Sequence, residues 1–275
     1  MSETTITAHS TGRPLRTLAA GMHRLPGFYP ALGIAGLLFL WWVGGRIVAG
    51  DPAMFAFAGF APGPSLAAFW DLIVTGSFLD SALPSLYRVG LGLAWAIALG
   101  MPLGILVGYF PVAQAATHVP FQFLRMVSPL AWMPLAVMAF ATWDEAIIFL
   151  IAIAAIWPIL FSTAHGVRRI DPDWFKVARN LGASTPQMIR RIVLPAVAQE
   201  IFAGIRLAVG VAWIVLVPAE YLGVTSGLGY AINDARDTLD YPRLMSIVLL
   251  IGLIGYLLDA VCVRLIRRFS WQPEH

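Results

Sequence analysis

Six apolar runs, near 28–48, 84–109, 120–141, 145–162, 201–221 and 245–265, decide the solvent of this chain before any motif is read. At 1.5 Å per residue each is long enough, or in the fourth case nearly so, to cross about 30 Å of hydrocarbon. In lipid every backbone N–H and C=O must find a partner within the segment, so the runs are predicted as helices. The ten-residue alternation of a membrane β-barrel is not seen. Composition agrees: of 275 residues 59% are hydrophobic and 12% charged, against about 25% charged in a soluble domain. The expected fold class is an all-α integral membrane protein with six transmembrane helices. It has one membrane domain over 28–265, an N-terminal tail at 1–27 and a C-terminal tail at 266–275.

Lys and Arg placement orients the runs. Arg13, Arg16 and Arg24 precede the first. Arg168, Arg169, Lys176, Arg179, Arg190 and Arg191 lie between the fourth and fifth, and Arg264, Arg267 and Arg268 close the chain. Six crossings put all three groups on one side, which the positive-inside rule makes cytoplasmic. Both termini are then expected inside. The 49–83 segment, without Lys or Arg, and the turn at Asp144-Glu145 are expected outside. The first run is too long for a signal-peptide core of about 7–15 residues and is read as an uncleaved anchor. The net charge of +3 is scattered, and marks topology, not a nucleic-acid surface.

Chemistry-bearing motifs are few. No G-x4-G-K-[ST] phosphate loop or nucleophile elbow appears, so no catalytic residue and no ATP or Mg site is expected in this chain. Cys262 is a single cysteine in an apolar run, a packing residue with no disulfide partner. His9, His23, His118, His165 and His275 are dispersed and read as solvated or interfacial, so no metal site is expected. Within 50–64, Gly50, Pro52, Pro62, Gly63 and Pro64 mark a loop. Ser65 is the expected cap of a short interfacial helix, Leu66 to Thr75, with Leu66, Phe69 and Trp70 on one side.

A polar, basic island at 163–200 stands apart from the apolar runs. Asp171-Pro172-Asp173 reads as a helix start, with an acidic cap and proline in the first turn. The helix from Trp174 to Asn180 should end near Gly182 in left-handed geometry. Ser184 or Thr185 should cap a second helix, which Leu194-Pro195 breaks or kinks before the fifth run. The stretch Lys176-Val177-Ala178-Arg179-Asn180-Leu181-Gly182, followed by Ile192-Val193-Leu194-Pro195, resembles the EAA-x3-G-x9-I-x-L-P loop of permease subunits of binding-protein-dependent ABC importers. Lys176 stands where that family usually has Glu, and Val177 where it has the first Ala. The salt bridge of that glutamate is therefore not carried over.

The resemblance extends from about Pro64 to Trp271. Pro62-Gly63-Pro64, Arg88-x3-Gly92, Ala219-Glu220 and Gly227-Leu228-Gly229-Tyr230 resemble the nitrate/sulfonate/taurine group. The segments Val127 to Leu135 and Ile156 to Leu160 resemble its nitrate, cyanate and bicarbonate branch. The resemblance implies a type I ABC importer (MetI-like) permease fold, in a bacterial cytoplasmic (inner) membrane. It implies a second permease copy, two cytoplasmic ATPase subunits that bind ATP and Mg, and an extracytoplasmic binding protein delivering a small anion. Sulfonate, taurine or another small organic anion is the alternative cargo. Lys176, Val177, Ala178, Arg179, Gly182, Ala183, Ser184, Ile192, Leu194 and Pro195 would then couple to the ATPase.

Pathway candidates come from the spans. Pro129 and Pro134 interrupt the third run and free backbone carbonyls, as discontinuities lining a pathway do. Trp132 and Met133 lie between them and are read as lining or closing the passage. Arg125 is read first as snorkelling or packing and second as an attractor for an anion leaving inward. Arg206 is a costly intramembrane charge, with Glu200 as a candidate salt-bridge partner. Glu220 is read as accepting hydrogen bonds around an outer gate or docking scaffold, ahead of touching an anionic cargo. A six-helix secondary transporter or channel without an ATPase is the competing class. It would carry a paired intramembrane charge relay or a half-and-half repeat, and the sequence shows neither.

Overall fold

Apolar runs become helices throughout a computed structural model that describes residues 28–269. The expected N-terminal tail, the chain from 270 onward, and with them Arg13, Arg16, Arg24, His9, His23 and His275, lie outside the described residues. The chain divides into two compact units, one up to Pro64 and one from Ser65 onward.

The first unit holds α1 (Phe28–Gly50) and a 3-10 turn at Phe55–Phe60. None of the residues of α1 is buried, as suits a helix whose whole circumference is apolar and lipid-compatible. Trp41 Nε1 donates to the Phe60 carbonyl at 2.8 Å and ties the turn back to α1.

The second unit is built on α3 (Phe78–Tyr109), α6 (Trp143–Arg168) and α10 (Ala198–Gly223). Between α3 and α6 come α4 (Pro111–Met126), a 3-10 turn at Pro129–Trp132 and α5 (Met133–Ala139). α6 starts on a capping box, with Thr142 Oγ1 accepting from Glu145 N and Glu145 Oε2 accepting from Thr142 N, both at 3.2 Å. The spacing Gly92, Ala96, Gly100, Gly104, Gly108 puts small residues on one face of α3. A methyl on Gly104 would lie 2.7 Å from both the Leu160 carbonyl oxygen and Thr163 Cβ, so only hydrogen lets α3 and α6 approach this closely. Lipid tails are as apolar as the side chains, so such close van der Waals contact, not water exclusion, holds the pair. Val89, Ala96, Ile151, Ala155, Ala208, Ala212 and Leu216 fill the core among α3, α6 and α10.

The third run is not one helix. α4 begins well before the expected 120, and the chain turns by 88° into the Pro129–Ala139 segment. Pro129 cannot donate an N–H, and Val127 and Ser128 take extended ψ angles before it, as residues ahead of proline prefer. Among the described residues five helices are long and apolar enough to cross a membrane, and the bent pair, counted as one span, makes six. The protein is thus all-helical and multi-pass over its described residues, and its third apolar run is broken.

The short helix is longer than expected and differently capped. α2 spans Pro62–Thr75, so Ser65 lies inside it and is not its cap. Ser65 is fully buried, and its carbonyl accepts from Ser246 Oγ at 2.9 Å. Phe69 packs inward with Leu72 and Ile73, whereas Trp70 is exposed. These residues meet α11 (Leu228–Asp237) and α12 (Tyr241–Phe269). α12 runs four residues past the expected end of the last span.

Candidate functional site

The 163–200 island is narrower than expected, since 163–168 continue α6 and 198–200 open α10, and the residues between form a helical hinge at one end of both. Its first arm, α7, spans Pro172–Asn180. Asp171 Oδ1 accepts from Asp173 N at 2.9 Å, and Pro172 needs no partner for an N–H it lacks. The arm stops in a paired-bond helix end: Gly182 N donates to Arg179 O at 2.9 Å and Ala183 N to Ala178 O at 3.0 Å. That arrangement requires left-handed backbone at Gly182, whose φ is +78°. The second arm is α8 (Thr185–Met188), a π-turn at Ile189–Val193 and α9 (Leu194–Ala196). Ser184 precedes it, with its N–H bonded to Gln187 Oε1 at 2.9 Å.

Leu194-Pro195 kinks the segment ahead of the fifth run, as expected, and the helix is interrupted two residues later. Pro195 cannot donate to Arg191, and its ring would crowd that carbonyl in an α-turn. The π-turn, closed by Leu194 N on Ile189 O, relieves this. The interruption falls at Val197, with φ −103° and ψ 11°.

Two faces of the hinge differ. Phe175, Ile189, Val193 and Leu194 pack with Ile105, Val167, Val197 and Ile201 from α3, α6 and α10. Phe175 also meets the Tyr109 ring edge-on at 5.5 Å. On the other face Trp174, Val177 and Leu181, at i, i+3 and i+7, are 55%, 58% and 83% exposed. With Ala178 and Ile192 they line an apolar groove of about 350 Å³. Lys176 forms an exposed ion pair with Asp173 at 2.8 Å. Arg179, Gly182, Ser184 and Pro195 are exposed, and Ala183 is partly so.

Between α4 and α6 two cavities adjoin. One, of about 580 Å³, is lined by Gln114, His118, Arg125, Phe161, His165 and Arg168 among others. The second, of about 570 Å³, brings together Arg125, Pro129, Trp132, Trp157, Leu207 and Val211. Met133 instead points into the apolar core, and Pro134 opens α5 beside it. His118 and His165, dispersed in the sequence, thus share one cavity.

Arg206 does not pair with Glu200. Its Nε and Nη2 donate to Asp259 Oδ1 and Oδ2 of α12 at 2.7 and 2.9 Å. Glu200 and Arg206 stand about 120° apart around α10, at 100° per residue, on different faces of the helix.

At the opposite end of α6 and α10 lies a polar network that the sequence reading did not assemble. Arg88 of α3 is 2% exposed. Its Nε and Nη2 reach Asp144 Oδ1 at 2.8 and 2.7 Å, and its Nη1 reaches Glu220 Oε1 at 2.5 Å. Nη1 and Nη2 also donate to Ser226 O and Oγ, at 2.9 and 2.8 Å. Glu220, fully buried, accepts from Ser85 Oγ at 2.8 Å and from Gly229 N at 2.9 Å. Leu228 N donates to Ser85 Oγ at 2.9 Å. The amino end of α11 is therefore capped by side chains of α3 and α10, with a carboxylate at its positive pole. A guanidinium has five N–H donors, and five contacts occupy them, so Arg88 keeps none for a bound anion. Arg88 and Glu220 are each visible singly as a polar residue in an apolar span, and the sequence holds no signal that pairs them.

Comparison with known proteins follows the same lines. The family described as "Binding-protein-dependent transport system inner membrane component" matches residues 100–271. The chain is 37% identical over 248 residues to the bicarbonate transport system permease protein CmpB of Synechococcus elongatus, covering 84% of each chain. It is 39% identical over 201 residues to the nitrate import permease protein NrtB of Leptolyngbya laminosa, covering 70% of this chain and 72% of that one. It is 31% identical over 276 residues to the putative aliphatic sulfonates transport permease protein SsuC of Bacillus subtilis, covering 98% of each. In fold it is similar to a chain of the inward-facing MetNI methionine ABC transporter, at 15% identity and a TM-score of 0.55, covering 70% of this chain and 96% of that one. Broken third crossing, helical hinge and family match agree, and the chain belongs to the inner membrane components of binding-protein-dependent transport systems.

Proposed function

We propose that this chain is the permease subunit of an ATP-driven importer, forming the translocation pathway for a small anion of the nitrate, cyanate or bicarbonate class. The observation that carries the reading is the two-faced hinge. One face is packed against the ends of three spans, and the other exposes Trp174, Val177 and Leu181. An apolar stripe on a polar segment outside the membrane needs a protein cover. A cytoplasmic ATPase, itself binding ATP and Mg, fits that need, because motion imposed on α7 passes through Phe175 and Val193 into α3, α6 and α10.

Each permease offers one hinge, so two ATPase subunits call for two permeases, most simply a homodimer about a twofold axis. The exposed Arg206–Asp259 pair supports this. Both side chains are about half exposed within spans, and such charges face protein or water, not lipid. An extracytoplasmic binding protein would hand cargo to the end of the Arg88 network. ATP-driven closure of the ATPases would stabilise the outward-open state and hydrolysis the inward-open one, with no covalent chemistry in this chain. In a bacterial inner membrane the hinge and both termini would lie in the cytoplasm, where Arg168, Arg169, Arg190 and Arg191 satisfy the positive-inside rule. Likeness to the sulfonate permease keeps a small organic sulfonate as the second cargo.

Co-purification tests the reading. The tagged chain should bring down a soluble P-loop ATPase, and Leu181→Asp should lose it while still inserting. Anion flux through the purified chain alone, without ATP, would overturn the proposal.

A further inference from the structure

The cavity nearest the hinge carries side-chain donors that no acceptor among the described residues takes up. Gln114, His118 and Arg125 recur along one face of α4, and Phe161, His165 and Arg168 along one face of α6. Among the described residues no Asp or Glu lines the space. Among the described residues no carboxylate pairs with Arg125 or Arg168. The Arg125 guanidinium carbon sits 5.1 Å from the Phe161 ring centroid. This cation–π contact positions the guanidinium beside the cavity. Arg125 also lines the adjoining apolar cavity with Trp132 and Trp157, so it marks the junction of a polar and an apolar compartment. Two guanidiniums and two imidazoles, all four exposed, surround about 580 Å³ and favour a bound negative charge.

The geometry points to an oxyanion-binding site in the hinge-side cavity between α4 and α6, with Arg125 and Arg168 as its principal donors. A small inorganic oxyanion and the phosphate of an anionic lipid headgroup share the required chemistry. The site deepens the transport reading, on which it rests only for the identity of a free anion.

The test uses the full chain in phosphatidylcholine nanodiscs, titrated calorimetrically with sodium nitrate and sodium bicarbonate. Saturable binding is expected. Arg125→Gln and Arg168→Gln should each weaken it at least tenfold, and Arg125→Lys should restore part of it. A second arm measures phosphatidylglycerol retained on the protein by native mass spectrometry, with the same variants. A variant-sensitive signal in the first arm assigns a free oxyanion, and one in the second arm alone assigns a lipid phosphate. No binding in either arm, or binding indifferent to all variants, overturns the site. Should Arg125→Gln fail to fold, Arg168→Gln and His165→Gln decide. Unaltered ATP-driven uptake with no anion binding would sink the site and leave the importer standing. Loss of ATPase co-purification would sink the importer and leave the site measurable.

Discussion

The two ends of α6 and α10 solve opposite problems. At the far end Arg88, Ser85, Glu220, Asp144 and Ser226 satisfy one another across helices, and the guanidinium has no donor to spare. At the hinge end the backbone is equally well capped, yet Leu181 is 83% exposed and the groove beside it is apolar. A closed network stabilises the chain that owns it, whereas an open apolar face has value only once something covers it. Substitutions at the far end should therefore be felt in stability, and substitutions on the hinge in transport.

The largest stability loss is expected for Arg88→Leu, which strands the Glu220 carboxylate in the core. Breaking a buried ion pair on one side costs about 3–5 kcal/mol, seen as a large drop in thermal unfolding temperature in detergent. A drop no larger than that of a surface variant would remove the contrast. Gly104→Leu comes next, because its side chain must enter the space held by Leu160 and Thr163. Overpacking costs about 1–3 kcal/mol, read by the same unfolding measurement. Gly182→Val comes third. Nothing lies within 4 Å of its added Cβ, so the penalty is backbone strain alone, about 1–2 kcal/mol. It should nonetheless uncouple ATP hydrolysis from uptake in proteoliposomes, and normal coupling would count against the hinge. Leu181→Asp should shift stability least, within about 0.5 kcal/mol, while abolishing ATPase binding. A marked unfolding shift there would show that the stripe belongs to the protein's own core.

Much of this contrast was legible from the sequence, for local reasons. Asp171-Pro172, Gly182 and Ser184 signal helix ends through their own chemistry, and all three act at the ends they mark. Apolar runs located the crossings because a bilayer demands length and little else. What escaped depends on which helices meet. Arg88 and Glu220 are 132 positions apart, and no pattern within either helix reveals the other. Asp259 was missed as the partner of Arg206 because α12 was read only as an apolar run. Pro129 and Pro134 announced an irregular third crossing, but its 88° turn required the packing of α5 against α6. The small-residue series from Gly92 to Gly108 was readable and went unused, although its four-residue recurrence already describes a close helix contact.

One consequence follows from the π-turn at Ile189–Val193. Its extra residue sets the phase between α7 and α10 as a single shim would between a lever and its shaft. Deleting one residue there would convert the wide turn to an ordinary one and rotate everything before it by about 100° around the α10 axis. The apolar stripe would keep its composition and lose its bearing, so an engine docked on it would push at right angles to the spans it drives.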